Sequence, residues 1–339
     1  MRNGEYNMIF TENIIDALNN KRALVTGGTG MIGREVVNLL TNAGCEVTSV
    51  SLDDLALNTN AKYIKGDLSD FKFCLEICSG QDLLFHIAGI KGSLAVTEAQ
   101  PASFFVPLLM MNTNILEAAR RTNINKCLYT SSIGAYSAAE IFVEKENDFA
   151  KPPMDMYPGW AKRMAELQIQ AYIKQYQVQN FSIVRPSNIY GPGDNFDPEN
   201  AMVIPSLIAK IAKGDSPVIV WGDGSAERDF LHSRDAAIGI ILACVNGTHG
   251  MPVNLGCGYG ISIRTLVETL KSFIDFEPFF DVSKPSGFPR RIMDMSLAKK
   301  MIGFEPQISL SEGLKETWDW YIKNGTQHMN KKNYFRSDL

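Results

Sequence analysis

The stretch "TGGTGMIG" sets Gly27, Gly30 and Gly33 in a tight turn between an apolar run, "RALVT", and a helical pattern. Glycines at such a turn let backbone N–H groups approach a pyrophosphate, and the start of the following helix adds the positive end of its dipole. Roughly twenty residues further on, the strand-like "EVTSVS" ends in Asp53 and Asp54, carboxylates suited to the hydroxyls of an adenosine ribose. The same carboxylates would repel the extra phosphate of NADP, so NAD is favoured, while Arg34 and nearby lysines keep NADP open. A second stretch, "MYPGWAK", carries a phenol and an ammonium, Tyr157 and Lys162, five positions apart. On an ideal helix five positions turn a side chain by about 140°, against about 40° for four. Pro158 sits four before the lysine and suits a first helical position, where its missing N–H costs nothing. The expected helix therefore starts at Pro158, leaving Tyr157 in the preceding loop, free to swing toward Lys162.

These groups need a scaffold, and the chain supplies an alternating one. "RALVTG", "EVTSVS", "KYIKGDL", "DLLFHIAG" and "KCLYTSS" read as strands separated by helical stretches, the longest near 102–123. Gly44 closes the helix that follows the glycine turn. Strand and helix in turn predict an α/β protein with a doubly wound parallel sheet covered on both faces. From about residue 186 Pro and Gly become frequent, as in "RPSNIYGPGDNFDPENAMVIP". Residues 1–185 are thus expected to be mainly a cofactor domain and 186–324 mainly a smaller α/β substrate domain. "SIVRPS" and "PVNLGCG" read as further strands of the first sheet, the later ones returning near 215–257. The start 1–20 and the tail 325–339 are polar.

The 339 residues are 45% hydrophobic with a formal net charge of -4, enough for a large core and unlike a general nucleic-acid binder. No apolar run approaches a membrane span, and the first twenty or so residues are too polar for a secretory signal. Six cysteines lie without metal-ligand spacing, so buried, reduced thiols in a cytoplasmic protein, with no metal, are expected.

At this point the residues resemble the extended short-chain dehydrogenases/reductases, the nucleotide-sugar epimerase/dehydratase superfamily with its Rossmann sheet. "GDL" at 66–68 resembles the adenine-contacting motif and "HIAG" at 86–89 the segment lining the cofactor. "AGIKGS", "VWGDGSAERDFLH", "KPSGFPRRIMDMS" and the long GPGDNFDPEN stretch resemble the GDP-L-fucose synthase group, in its order, from about 20 to 324. The resemblance implies a cofactor site of Gly27, Gly30, Met31, Ile32, Gly33, Asp53, Asp54, Asp67, Leu68, Ala88, Gly89 and Lys162. It implies a GDP-sugar held by Lys91, Asn188, Val203, Trp221, Arg228, Lys284 and Arg290, with Arg291 adding charge. Arg228 is suited on its own account to bidentate bonds with a diphosphate. Helices near 102–123 and 158–176 resemble those of the superfamily's four-helix homodimer interface.

In this superfamily a hydroxyl, a phenol and a lysine manage the proton as hydride moves, the lysine orienting the ribose and lowering the phenol's pKa. Counting back from Tyr136 in "YTSSIGAYS" selects Ser132, beside Tyr157 and Lys162. Ile133 and Gly134 follow, where a 4,6-dehydratase would carry an acidic pair. The group's epimerisation cysteine falls on Gly134 and its histidine on Met202, and neither residue moves a proton. The chemistry implied is NAD-dependent oxidation or reduction at C4 of a GDP-linked sugar. The alternatives are a 4-epimerase that keeps its NAD, and a non-catalytic nucleotide-sugar-binding protein.

Overall fold

A computed structural model describes residues 10–90, 92, 94–197 and 200–325. Seven strands form one parallel sheet: β1 (Arg22–Thr26), β2 (Glu46–Ser51), β3 (Lys62–Lys65), β4 (Leu83–His86), β5 (Lys126–Thr130), β7 (Phe181–Pro186) and β12 (Pro252–Leu255), in the order β12-β7-β5-β4-β1-β2-β3. Every residue of β4 and β7 is buried, as expected when helices cover both faces. Side chains alternate between the faces. Val25, Phe85, Leu128 and Val184 pack with the Met31–Asn42 and Ser233–Asn246 helices, while Leu24, Leu84, Tyr129 and Ile183 pack with the Pro101–Arg121 and Met156–Tyr176 helices.

The remaining strands form three smaller sheets. β13 (Ile261–Ser262), β10 (Glu227–Arg228), β15 (Arg290–Met293) and β6 (Ile141–Phe142) form a four-stranded sheet in that order. β8 (Asn188–Tyr190) pairs with β11 (Phe230–His232), and β9 (Val218–Trp221) with β14 (Pro278–Asp281). Of the region 215–257, then, only β12 joins the main sheet.

Two local expectations need correction. The polar start includes a helix, Glu12–Leu18, whose Ile14 and Leu18 enter the core, because apolar residues four apart share a helix face. The helix carrying Lys162 begins at Met156, not Pro158, so Tyr157 lies inside its first turn. Proline is tolerated throughout that turn, since its N–H groups have no intrahelical acceptor.

The Met156–Tyr176 helix is fastened to the sheet by charge. Arg185 of β7 donates to both carboxylate oxygens of Glu166, at 2.9 and 2.6 Å, and both side chains are almost wholly buried. Ser131 adds a 2.5 Å hydrogen bond to the same carboxylate, and the Arg185 guanidinium lies 4.4 Å from the Tyr136 ring centre. Tyr136 in turn donates to Asn254 of β12 at 2.7 Å. Glu166→Gln leaves a buried guanidinium without its counter-charge and should cost about 3–5 kcal/mol in urea unfolding. The double replacement Glu166→Leu with Arg185→Met should recover most of that loss.

Candidate active site

The glycine turn forms because larger residues cannot occupy it. Gly27 has φ +72°, and a Cβ on Gly33 would stand 2.7 Å from the Gly27 carbonyl carbon. The cleft above the turn is lined by Gly27, Gly30, Met31, Ile32 and Gly33, by Asp53, and by Asp67, Leu68, Ala88 and Gly89. The structure brings those ten positions of the expected cofactor set together; Asp54 is exposed and does not line the cleft. Asp53 accepts from Thr29 Oγ1 at 2.9 Å, which holds its carboxylate at the end of β2. The donor set fits a dinucleotide: bare backbone at the helix start and a fixed carboxylate at the neighbouring strand end.

Arg34, which kept NADP open in the sequence, is turned inward. It is buried, donates to the Thr29 carbonyl at 3.4 Å, and lies 5.1 Å from the Trp320 ring centre. A strap forms one wall of the cleft beside it. Gly193, Asp194 and Asn195 line the same space as the glycine turn, and Phe196 stacks on Trp320 at 6.0 Å. The sequence placed this Pro- and Gly-rich segment with the sugar; its position against the cofactor turn was missed, as were Thr29 and Ser51. Nothing in the pattern signals a contact made across so many residues.

At the other end of the cleft, Lys162 donates to the Thr130 carbonyl at 2.7 Å, and a Cβ on Gly89 would lie 3.8 Å from its Nζ. Burial pulls this ammonium down to about 8, opposed by the charge of Glu166. Ser132 caps the short 3-10 turn Ile133–Ala135, accepting from the Gly134 N–H at 3.0 Å. Ser131 is committed to Glu166, so Ser132 has the more accessible hydroxyl. Tyr157 is exposed, and its ring meets Phe105 edge-on at 6.2 Å. The loop freedom expected for it is therefore absent, because the helix has already begun.

The substrate candidates gather only in part. β10 and β15 set Arg228 opposite Arg291, on the same face of their sheet. Burial, with Arg291 beside it, pulls Arg228 down to about 10, and its Nη2 donates to Ser286 at 3.2 Å. Arg290 points to the other face and pairs with Glu227 at 2.9 Å. Adjacent arginines in a strand face opposite ways, so choosing between them needed the register. Asn188 donates to the Asp229 carbonyl at 3.1 Å, next to Arg228. Trp221 ends β9 half exposed, Lys284 is exposed, and Val203 starts the Val203–Lys213 helix, with Met202 as its N-cap. Lys91 lies outside the described residues.

All six thiols are unpaired and five are buried, with Cys74 and Cys78 in the core of their helix face. No helix among the described residues is long and apolar enough to cross a membrane.

The strap generates a prediction. Gly193 has φ +77°, and a Cβ there would stand 2.6 Å from Arg34 Nη1. Gly193→Ala should loosen the strap at a cost of about 1–2 kcal/mol. NAD(P)H dissociation, followed by stopped-flow fluorescence, should be roughly tenfold faster than in the wild type.

Comparison with known proteins places this geometry. The sequence model of the NAD dependent epimerase/dehydratase family matches residues 23–256. The chain is 31% identical over 315 residues to the probable GDP-L-fucose synthase 1 of Oryza sativa subsp. japonica, covering 89% of this chain and 92% of that protein. The UDP-glucose 4-epimerase structure from Thermotoga maritima is 27% identical, with a TM-score of 0.75 over 89% of this chain and 99% of that one. An epimerase structure from Methanothermobacter thermautotrophicus reaches a TM-score of 0.85 over 96% of this chain and 98% of that one, and at 21% identity it speaks for the fold alone. The glycine turn, the doubly wound sheet and the matched sequence agree: the chain belongs to the NAD dependent epimerase/dehydratase family.

Proposed function

We propose that this protein is an NAD-dependent oxidoreductase acting at C4 of a GDP-linked sugar, as a 4-dehydrogenase or a 4-keto reductase, in the synthesis of glycan precursors. That it is an NAD(P)-dependent sugar-nucleotide enzyme follows from its family. The observation carrying the finer reading is the residue types at 134 and 202. Gly134 and Met202 hold the places where a C3/C5 epimerase of the fucose-synthase kind needs proton carriers, and neither has a titratable group. The GDP part rests on the likeness to a GDP-L-fucose synthase and on the Arg228–Arg291 pair, a charge arrangement suited to a diphosphate.

The bound cofactor supplies a hydride acceptor or donor. The residues proposed to hold it are the glycine turn, Asp53 and Lys162; the family-based set Ser132, Tyr157 and Lys162 would face the reacting carbinol. NAD is favoured over NADP because Asp53 is fixed by Thr29 and Arg34 is committed to Trp320. A 4-epimerase is the second reading, favoured by the strap at 193–195 that walls the cleft beside the glycine turn and would slow cofactor exchange. A non-catalytic binder is the third, motivated by Tyr157 resting on Phe105. We assign 1–185 with β12 to the cofactor half, and most of 186–324 to the sugar half. Val106, Met110, Met164 and Leu167 expose apolar surface on the two neighbouring helices, and we assign that surface to a homodimer. Reduced thiols fit a cytoplasmic setting.

Denaturing the purified protein and identifying the released nucleotide separates the first two readings: a stoichiometric NAD(H) favours recycling, an empty site an exchanging oxidoreductase. NADH oxidation by GDP-4-keto-6-deoxymannose in D2O should place no solvent deuterium at C3 or C5; uptake there would sink the reading drawn from Gly134 and Met202. Lys162 keeps its proton below about pH 8 and loses it above, so cofactor affinity should fall as the pH rises through that value. Lys162→Met should bind NAD roughly tenfold more weakly and lose this pH dependence.

A further inference from the structure

We propose that the Asp155 carboxyl is the proton carrier for the sugar oxygen in this site, an assignment that rests on the reading of hydride transfer at C4. Asp155 is the N-cap of the Met156–Tyr176 helix, yet its side chain makes no capping hydrogen bond. An aspartate there ordinarily accepts from a first-turn N–H. Here the carboxyl is turned against the Ser132 turn. A Cβ on Gly134 would lie 2.9 Å from Asp155 Cγ and would run into Oδ2, so the carboxyl fills the space a side chain at 134 would take. The Asp155 N–H donates to the Gly134 carbonyl at 3.3 Å, and Ser132 accepts from the N–H of the same glycine. The carboxyl thereby lies against the turn that carries the accessible hydroxyl.

The smaller four-stranded sheet reaches the same group. Arg291 Nη2 lies 3.7 Å from Asp155 Oδ1, and Arg228 is its neighbour across β10 and β15. At one-third exposure the carboxyl remains open to a ligand. Asp155 precedes the helix in an extended conformation, φ -99° and ψ 91°, so the contact with Gly134 aims its carboxyl, whereas Tyr157 inside the first turn is about 140° from Lys162. The phenol is therefore turned away from the lysine's side, while the carboxyl stands at the Ser132 turn.

The step balances simply. In oxidation the C4 carbon gives a hydride to nicotinamide, the O–H bond breaks, and its proton passes to the Asp155 carboxylate as the C=O forms; reduction is the reverse. Burial raises the carboxyl above its ordinary value and Arg291 opposes that rise; the packed elements also carry Lys162, Arg163 and Glu166 on the helix and Glu227, Arg228 and Arg290 on β10 and β15. Reduction needs the acid form, so its rate should fall as the pH rises through the carboxyl's pKa, and oxidation should rise.

The test compares wild type and Asp155→Asn in single-turnover reduction of GDP-4-keto-6-deoxymannose by NADH across pH. The expected result is a loss of about 100-fold or more in rate, no carboxyl limb in the pH profile, and unchanged NADH affinity as evidence of an intact fold. A second readout is the Asp155 carboxyl carbon in 13C NMR, assigned by its disappearance in Asp155→Asn, which should titrate above the ordinary range and shift when GDP-mannose binds. An Asp155→Asn rate within threefold of wild type overturns the assignment alone, as does a loss confined to Tyr157→Phe. Solvent deuterium at C3 or C5 that depends on Asp155 overturns it too, placing the carboxyl at carbon. A wild type that oxidises no NADH with this sugar overturns it together with the C4 reading.

Discussion

A carboxylate and a guanidinium shut away from water decide where the reacting groups stand. Taking Glu166 and Arg185 out of solvent is costly, and the pair is tolerated because its geometry is two-pronged and Ser131 occupies a further lone pair. Glu166 is one helical turn beyond Lys162, so anchoring the first also fixes the second. Lys162 is then delivered to the end of β5, where the Thr130 carbonyl receives it. The same carboxylate opposes the desolvation of the lysine, helping it hold a proton in a half-buried place.

The cleft lies where the strand order turns back on itself. From β1 the chain winds outward to β2 and β3, then returns to β4 on the other side and continues to β5, β7 and β12. Loops leaving β1 and β4 diverge there, and a crevice opens at their carboxyl ends. Beneath it runs a buried polar chain. Thr26 and His86 are 2.7 Å apart, His86 and Asn112 2.8 Å, and Asn112 donates to Tyr129 at 3.2 Å. Burial, with the charge of Lys162 nearby, pushes His86 down to about 3, so the ring is a neutral strut joining three strands. The floor of the site is rigid because each of these polar groups is satisfied by the next.

Much of this was legible in the residues. The parallel sheet, the glycine turn and the cleft lining follow from local chemistry, since glycine, alternating apolar runs and an acidic strand end act through near neighbours. What the residues hid depends on register or on distance along the chain. Arg290 and Arg291 are equivalent as text, and only the pairing of β10 with β15 separates their faces. The strap at 193–195 reads as substrate loop until Arg34 and Trp320 are seen beneath it. Pro158 marked a helix start correctly in kind, but proline is accepted at several places in a first turn, so the boundary moved by two residues and took Tyr157 with it. Asp155 carried the signature of an ordinary cap, and its use elsewhere depends on the missing side chain at Gly134.

The order of two letters, Tyr157 then Pro158, has an evolutionary side. Transposing them would move the phenol one position along the helix, turning it by about 100° toward the lysine's face. The proline would shift to the second helical position, which also lacks an intrahelical partner for its N–H. Composition, length and core would be untouched, so the present arrangement and the four-residue spacing are near neighbours in sequence space. A lineage could pass between a phenol-based and a carboxyl-based proton relay without rebuilding the scaffold that holds either one.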